Sequence, residues 1–270
     1  MATPRELWLA VLSVVLVTSG FGFPSGARAE ADGQFSERKS AHFRLYQGVG
    51  IEKYSGPHGW RQFELQLLDI LERAYDRVGK LLGIWPSHDV RVAVYDPGVF
   101  DAKYQRHFGF RAVGFFDGAI HVRGAKQVDA GLAGTLHHEY THAAIQAEVG
   151  PGLFPAWLNE GLAEYVEARA SGRRLGPGQY RVLAEASRQG TWLPLESLAA
   201  PSFAHLPGDS ASLAYLESHA MVEYLARRHG EEKLRWLCEE LGRTRNLERA
   251  LDRTYHRSLA ELESELRAAL

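Results

Sequence analysis

Cysteine is almost absent: the 270 residues contain one, Cys238. No internal disulfide can form. Cys238 lies in "KLRWLCEELG", where Leu234, Leu237, Cys238 and Leu241 mark one helical face. It reads as a small buried hydrophobe rather than a catalytic thiol. An excess of charge of one sign is also missing. The formal net charge is -2, and Lys and Arg are scattered with no block of like charge, so there is no electrostatic reason to expect nucleic acid or an anionic membrane surface as partner. Repeats, low-complexity tracts and long linkers are absent too. What remains, 45% hydrophobic and 24% charged, is the composition of a folded domain with a sizeable core.

Long hydrophobic runs are scarce as well. The amino terminus carries Arg5, an apolar run from Leu7 to Val17, a Gly/Pro/Ser-rich stretch and then "ARA" at Ala27–Ala29. Charged start, short apolar centre and small-residue cleavage site are the order of a secretory leader. The run is too short to span a bilayer comfortably, which takes about twenty residues. Residues 1–29 are therefore expected to be a signal peptide and 30–270 a single domain; the alternative is an uncleaved anchor, the one route by which a membrane would become a partner. No cysteine stands near the cleavage site, so lipid modification there is excluded. An exported chain without disulfides suggests a secreted or periplasmic protein of a bacterial cell envelope.

Along the rest of the chain, strand patterns come first and helix patterns later. "SAHFRLYQG" alternates apolar and polar residues, "DVRVAVYD" reads as a second strand closed by Pro97-Gly98, and "RAVGFFDGAIHVRG" as a hairpin turning at Asp117-Gly118. Between them, Arg61–Gly83 is an amphipathic helix with Phe63, Leu67, Ile70, Leu71, Ala74 and Val78 as its stripe. Helices are expected at Val128–Val149, Pro155–Ala170 and Tyr180–Arg188, and through "LAYLESHAMVEYLARRHG", "EEKLRWLCEELG" and "NLERALDRTYHRSLAELESELRAAL". This order favours an α+β fold, a small N-terminal mixed sheet followed by a mostly helical half.

The chemistry concentrates in "TLHHEYTHAAIQ", Thr135 to Gln146. His138 and His142 are four apart and lie one above the other on a helix face, where two imidazoles can reach one metal ion. Glu139, rotated about 100° from His138, can reach a water on that metal without ligating it. His137 lies about 140° from His142 and reads as a local hydrogen-bonding neighbour. Catalytic zinc usually takes three protein ligands and keeps a fourth position for water. A third His in the H-x-x-G-x-x-H pattern is excluded, because Ile145 and Glu148 stand where Gly and His would be needed. Glu160, in "WLNEGLAEY" on the next helix, is the candidate third ligand. Glu164, one turn on, is placed to accept the distal N–H of a ligand His. The plain alternative for both glutamates is a solvated helix face. In the same way, Trp157 is expected to pack the glutamate helix, and His121 reads as a strand-surface residue that can touch substrate.

"HHEYTH" followed by "FPAWLNEGLAEYVE" resembles the gluzincin zinc metallopeptidases, and is most similar to their small peptidase MA-like domains. The "GFFDGAIHV" hairpin is similar to the edge-strand region of that family, and "AYLESHAMVEYLARRHGEEKLRWLCEEL" to the segment that carries a tyrosine in gluzincin aminopeptidases. The likeness runs from about Ser40 to the C-terminus. It implies a zincin-like fold, one Zn2+ held by His138, His142 and Glu160, Glu139 as general base, Tyr215 as the donor to the oxyanion, and a peptide or protein substrate. His219, at i+4 from Tyr215, is an alternative or supporting donor. After Tyr215 the chain reads "LESHA" where aminopeptidases typically carry Lys-Gly, and the acidic exopeptidase signature has no match, so an aminopeptidase specificity is not implied. An extended peptide is expected to pair with the strand around Phe115–Val122. The reading from another class is a non-catalytic zinc-containing cell-envelope binding or assembly module, in which the metal staples two helices.

Overall fold

The computed structural model describes residues 12–15, 35–50, 59–108, 111–200, 202–203 and 206–270. The strands are β1 (Leu12–Val15), β2 (Ser36–Lys39), β3 (Phe43–Gln47), β4 (Val90–Tyr95), β5 (Ala112–Phe116) and β6 (Ile120–Arg123). The helices are α1 (Gly59–Leu82), α2 (Pro97–Tyr104), α3 (Ala130–Val149), α4 (Ala156–Ala170), α5 (Pro177–Gln189), α6 (Gly208–His229), α7 (Glu231–Thr244), α8 (Leu247–Tyr255) and α9 (Leu259–Ala268). The strand-first, helix-later order expected from the sequence is the order observed.

The six strands form one mixed sheet in the order β1-β5-β6-β4-β3-β2. β6, β4 and β3 run parallel, β5 with β6 and β2 with β3 antiparallel, and β1 parallel to β5. Of the apolar run Leu7–Val17, only Leu12–Val15 is described, as β1 at the outer edge of β5; the remainder of the expected leader lies outside the described residues. Among the described residues no helix is long and apolar enough to cross a membrane.

Period-two alternation splits the sheet's side chains between two cores. Phe43, Leu45, Val92, Val94, Ile120 and Val122 face α1 and α3, meeting the predicted α1 stripe and Leu136 and Tyr140 in the main cluster. Ala93, Tyr95 and Phe115 face the other way, with Phe100 and Phe108, in a smaller cluster. His121 belongs to this second face. Its ring stacks on Phe115 (centroids 4.6 Å apart), and it bonds to the Tyr95 hydroxyl at 2.8 Å and Asp117 Oδ1 at 3.1 Å. The sheet therefore separates it from α3, and it lies in an aromatic cluster on the other face.

One local reading needs correction. Pro97-Gly98 does not merely close β4: it opens α2, with Asp96 as N-cap accepting from the Gly98 N–H and Pro97 in the first turn, where its missing donor costs nothing. The C-terminal stretch is two helices. His256 takes a left-handed φ of 57°, and Ser258 starts α9 with a capping box to Glu261. Cys238 is buried, and burial pushes its thiol up to about 12, as suits a packing residue.

Candidate metal centre

α3 enters the interior, covered by the sheet, α1 and α4. Asp129 caps its start by accepting from the Leu132 N–H at 2.8 Å. Every residue from Gly134 to Ile145 is buried, so the histidines of this helix are not surface residues. α4 returns after Pro155, its first amide held by the Ala200 carbonyl at 3.2 Å, and Trp157 is fully buried beneath it. The turn between the two helices brings Glu160 opposite the paired imidazoles.

The three atoms converge as the spacing predicts. Nε2 of His138 and Nε2 of His142 each stand 3.4 Å from Glu160 Oε2, and one potential ligand atom from each residue falls within 4.8 Å of the others. The imidazole rings are 4.8 Å apart and inclined at 74°. None of these three atoms has a hydrogen-bond partner, although all are buried. Leaving three polar atoms unsatisfied in the interior is costly, whereas two imidazole nitrogens and a carboxylate oxygen are the donor set of a catalytic zinc site. The residues fit a divalent cation. Burial pushes the Glu160 carboxyl up, but the two imidazoles outweigh it and hold the group at about 2, so it is ionised and able to ligate.

Each imidazole is supported from behind. His142 Nδ1 donates to Asn159 Oδ1 at 3.2 Å, which leaves its Nε2 as the lone-pair nitrogen facing Glu160. Spacing alone does not single out Asn159; its place directly before Glu160 on α4 is the available signal. Behind His138 lie two carboxylates, Glu167 Oε2 at 3.5 Å and Glu164 Oε1 at 3.9 Å from Nδ1. His137 turns away, donating from Nδ1 to the Ala133 carbonyl at 2.8 Å, in keeping with a local role.

Glu139 is fully buried and packs against Gly114 of β5, where a Cβ would stand 2.6 Å from its Oε1. Tyr215, on α6, is 3% exposed, with Phe203 edge-on to its ring at 5.2 Å. Burial, then the charges of Glu160, Glu164 and Glu139, push the phenol well above its ordinary value, so it stays protonated. His219 stands between two carboxylates, Glu164 at 3.8 Å and Glu223 at 3.7 Å, and burial lowers it to about 4. It is therefore a neutral side chain held between α4 and α6.

Residues 77–270 match the sequence profile of the Peptidase MA superfamily, and the chain belongs to that superfamily. Its zincin-like fold is similar to the M1 zinc metallopeptidase from Deinococcus radiodurans, with a TM-score of 0.50, 17% identity, and 87% of this chain and 51% of that chain covered. It is also similar to the E323A mutant of an M1 zinc metallopeptidase from the same organism, with a TM-score of 0.49, 16% identity and the same coverage of 87% and 51%. The chain thus spans about half the length of these structures. No curated protein matches it.

Proposed function

We propose that the protein is a zinc metallopeptidase that hydrolyses peptide bonds. The observation that supports this best is the convergence of His138, His142 and Glu160 on one buried point where their ligating atoms lack other partners, with the Glu139 carboxylate on the neighbouring position of the same helix. His138, His142 and Glu160 would hold the ion. Zinc, when bound, supplies a Lewis acid that brings the pKa of a water to about 7 and polarises a carbonyl.

The chain's own groups do the remainder. Glu139 takes the proton of the attacking water and returns it to the leaving amine. Tyr215 donates from its protonated phenol to the oxygen on which negative charge develops. An extended peptide would pair with the outer edge of β5, the place held by Leu12–Val15, so departure of the leader would bare the edge. The leader directs the protein to the periplasm or the exterior.

A non-catalytic envelope module with a structural metal is the competing reading. A structural site has no use for a base, and the buried Glu139 favours hydrolysis. Metal analysis of the purified protein, paired with a peptide-library digest, tests the proposal. The wild type should carry about one zinc per chain and cleave. Glu139→Gln should keep the zinc and lose nearly all cleavage, and Glu160→Ala should lose metal. Cleavage by Glu139→Gln at the wild-type rate would remove the proposed base; full metal occupancy in Glu160→Ala would remove the third ligand.

A further inference from the structure

Helix periodicity points to Glu164 as the carboxylate behind His138. The side chains point elsewhere. We infer that Glu167, bracketed by Gly134 and Arg173, is the positioning residue that orients His138; this rests on His138 being a metal ligand.

Three observations converge on it. First, Glu167 is seven residues from Glu160, within about 20° of the same line along α4, and its Oε2 lies 3.5 Å from His138 Nδ1 against 3.9 Å for Glu164. Glu164 turns its other oxygen towards His219 Nδ1 at 3.8 Å. Second, Glu167 is anchored from outside. Its Oε1 accepts from Arg173 Nη2 at 2.9 Å, and Arg173 is itself tied to the end of α4 by its Nε on Ser171 Oγ at 2.7 Å and its backbone N–H on the Ala168 carbonyl at 2.8 Å. Third, α3 leaves room for this carboxylate. Gly134 lies one turn before His138, and a Cβ there would come 2.8 Å from Glu167 Oε1 and 3.2 Å from its Cδ. A side chain at that position would force the Glu167 carboxylate to shift from where it stands. The two ligand histidines are therefore supported unequally, His142 by the neutral amide of Asn159 and His138 by an anion. His138 Nδ1 has no hydrogen-bond partner of its own, and a carboxylate facing it at 3.5 Å draws the proton to Nδ1 and leaves Nε2 as the more basic, ligating nitrogen.

The test is zinc affinity by chelator competition, together with the visible spectrum of the cobalt-loaded protein, on the full chain and its variants, with circular dichroism as the folding control. Glu167→Ala should weaken zinc binding 10- to 100-fold and alter the cobalt spectrum. Glu167→Gln, which keeps an acceptor oxygen at the same reach, should restore much of the loss, and Glu164→Ala should lose less than Glu167→Ala. Gly134→Ala should reproduce the Glu167→Ala loss. Because a packed position can fail to fold, Arg173→Ala, at an exposed side chain, provides a second route and should weaken binding in the same direction. Wild-type affinity in Glu167→Ala, or a larger loss in Glu164→Ala, overturns the assignment while leaving the metal site standing. A wild type that binds no zinc overturns the metal reading and this inference together.

Discussion

Gly114 and Glu139 are in contact across the interface between β5 and α3. A Cβ on Gly114 would stand 2.6 Å from Glu139 Oε1, 3.0 Å from its Cγ and 2.8 Å from Thr135 Cγ2. The absent side chain lets the outer part of the sheet lie directly on the proposed base. Glu139 is thereby wedged between strand and helix.

Gly114→Ala should therefore harm catalysis before it harms metal binding. The atoms nearest a Cβ at Gly114 belong to Glu139 and Thr135, not to the proposed ligands His138, His142 and Glu160, so zinc affinity should stay within a few-fold of wild type. Displacing a catalytic group by about 1 Å can cost roughly 100-fold, and kcat is expected to fall by about that factor on a cleavable peptide. Unchanged kcat in a folded, zinc-loaded Gly114→Ala would show that the base does not depend on the wedge.

Stability should depend on pH through Glu217. This residue is fully buried on α6 and accepts the Leu193 backbone N–H, at 3.1 and 3.3 Å from its two oxygens. Burial, with the neighbouring charge of Glu263, pushes its carboxyl up to about 8. An unfolded glutamate titrates near 4.3. Between these values the folded chain holds more protons than the unfolded one, so stability falls as pH rises, by up to ~1.4 kcal/mol per pH unit from this group. Between pH 5 and pH 8.5 the urea midpoint of the wild type should fall relative to that of Glu217→Gln as pH rises. Parallel curves for the two proteins would refute the assignment.

The parts of this molecule legible in the sequence are those fixed by one helix or one strand pair. His138 and His142 share a face because four residues make about one turn, whatever surrounds them. The α1 stripe and the Asp117-Gly118 hairpin are local in the same sense. Glu160 needed one further step, a short turn between antiparallel helices, and that also held. The choice between Glu164 and Glu167 did not follow from spacing, because both lie on the ligand side of α4. It depends on how far α4 is rotated against α3 and on the space left at Gly134, which are tertiary quantities. His121 illustrates the other limit. Alternation places it opposite Ile120 and Val122, but which face of the sheet carries the active helix is decided by packing. α2 was missed for a nearer reason: Pro97-Gly98 reads as a turn, and only the Asp96 cap turns it into a helix start.

Tyr215 and His219 are four residues apart on α6, and the sequence leaves open which of them donates to the oxyanion. Their surroundings differ. Tyr215 is protonated and lies in the field of Glu160, Glu164 and Glu139; His219 is held between Glu164 and Glu223 and is neutral. Tyr215→Phe removes one hydroxyl from the packed site and should lower kcat by about 100- to 1,000-fold, the usual cost of deleting an oxyanion donor, with zinc content unchanged and KM shifted far less than kcat. His219→Gln should act through packing instead, lowering the melting temperature while keeping kcat within about tenfold of wild type. Steady-state kinetics on one peptide substrate for both variants decide the matter: a large loss of kcat in His219→Gln with little in Tyr215→Phe would transfer the donor role to the histidine.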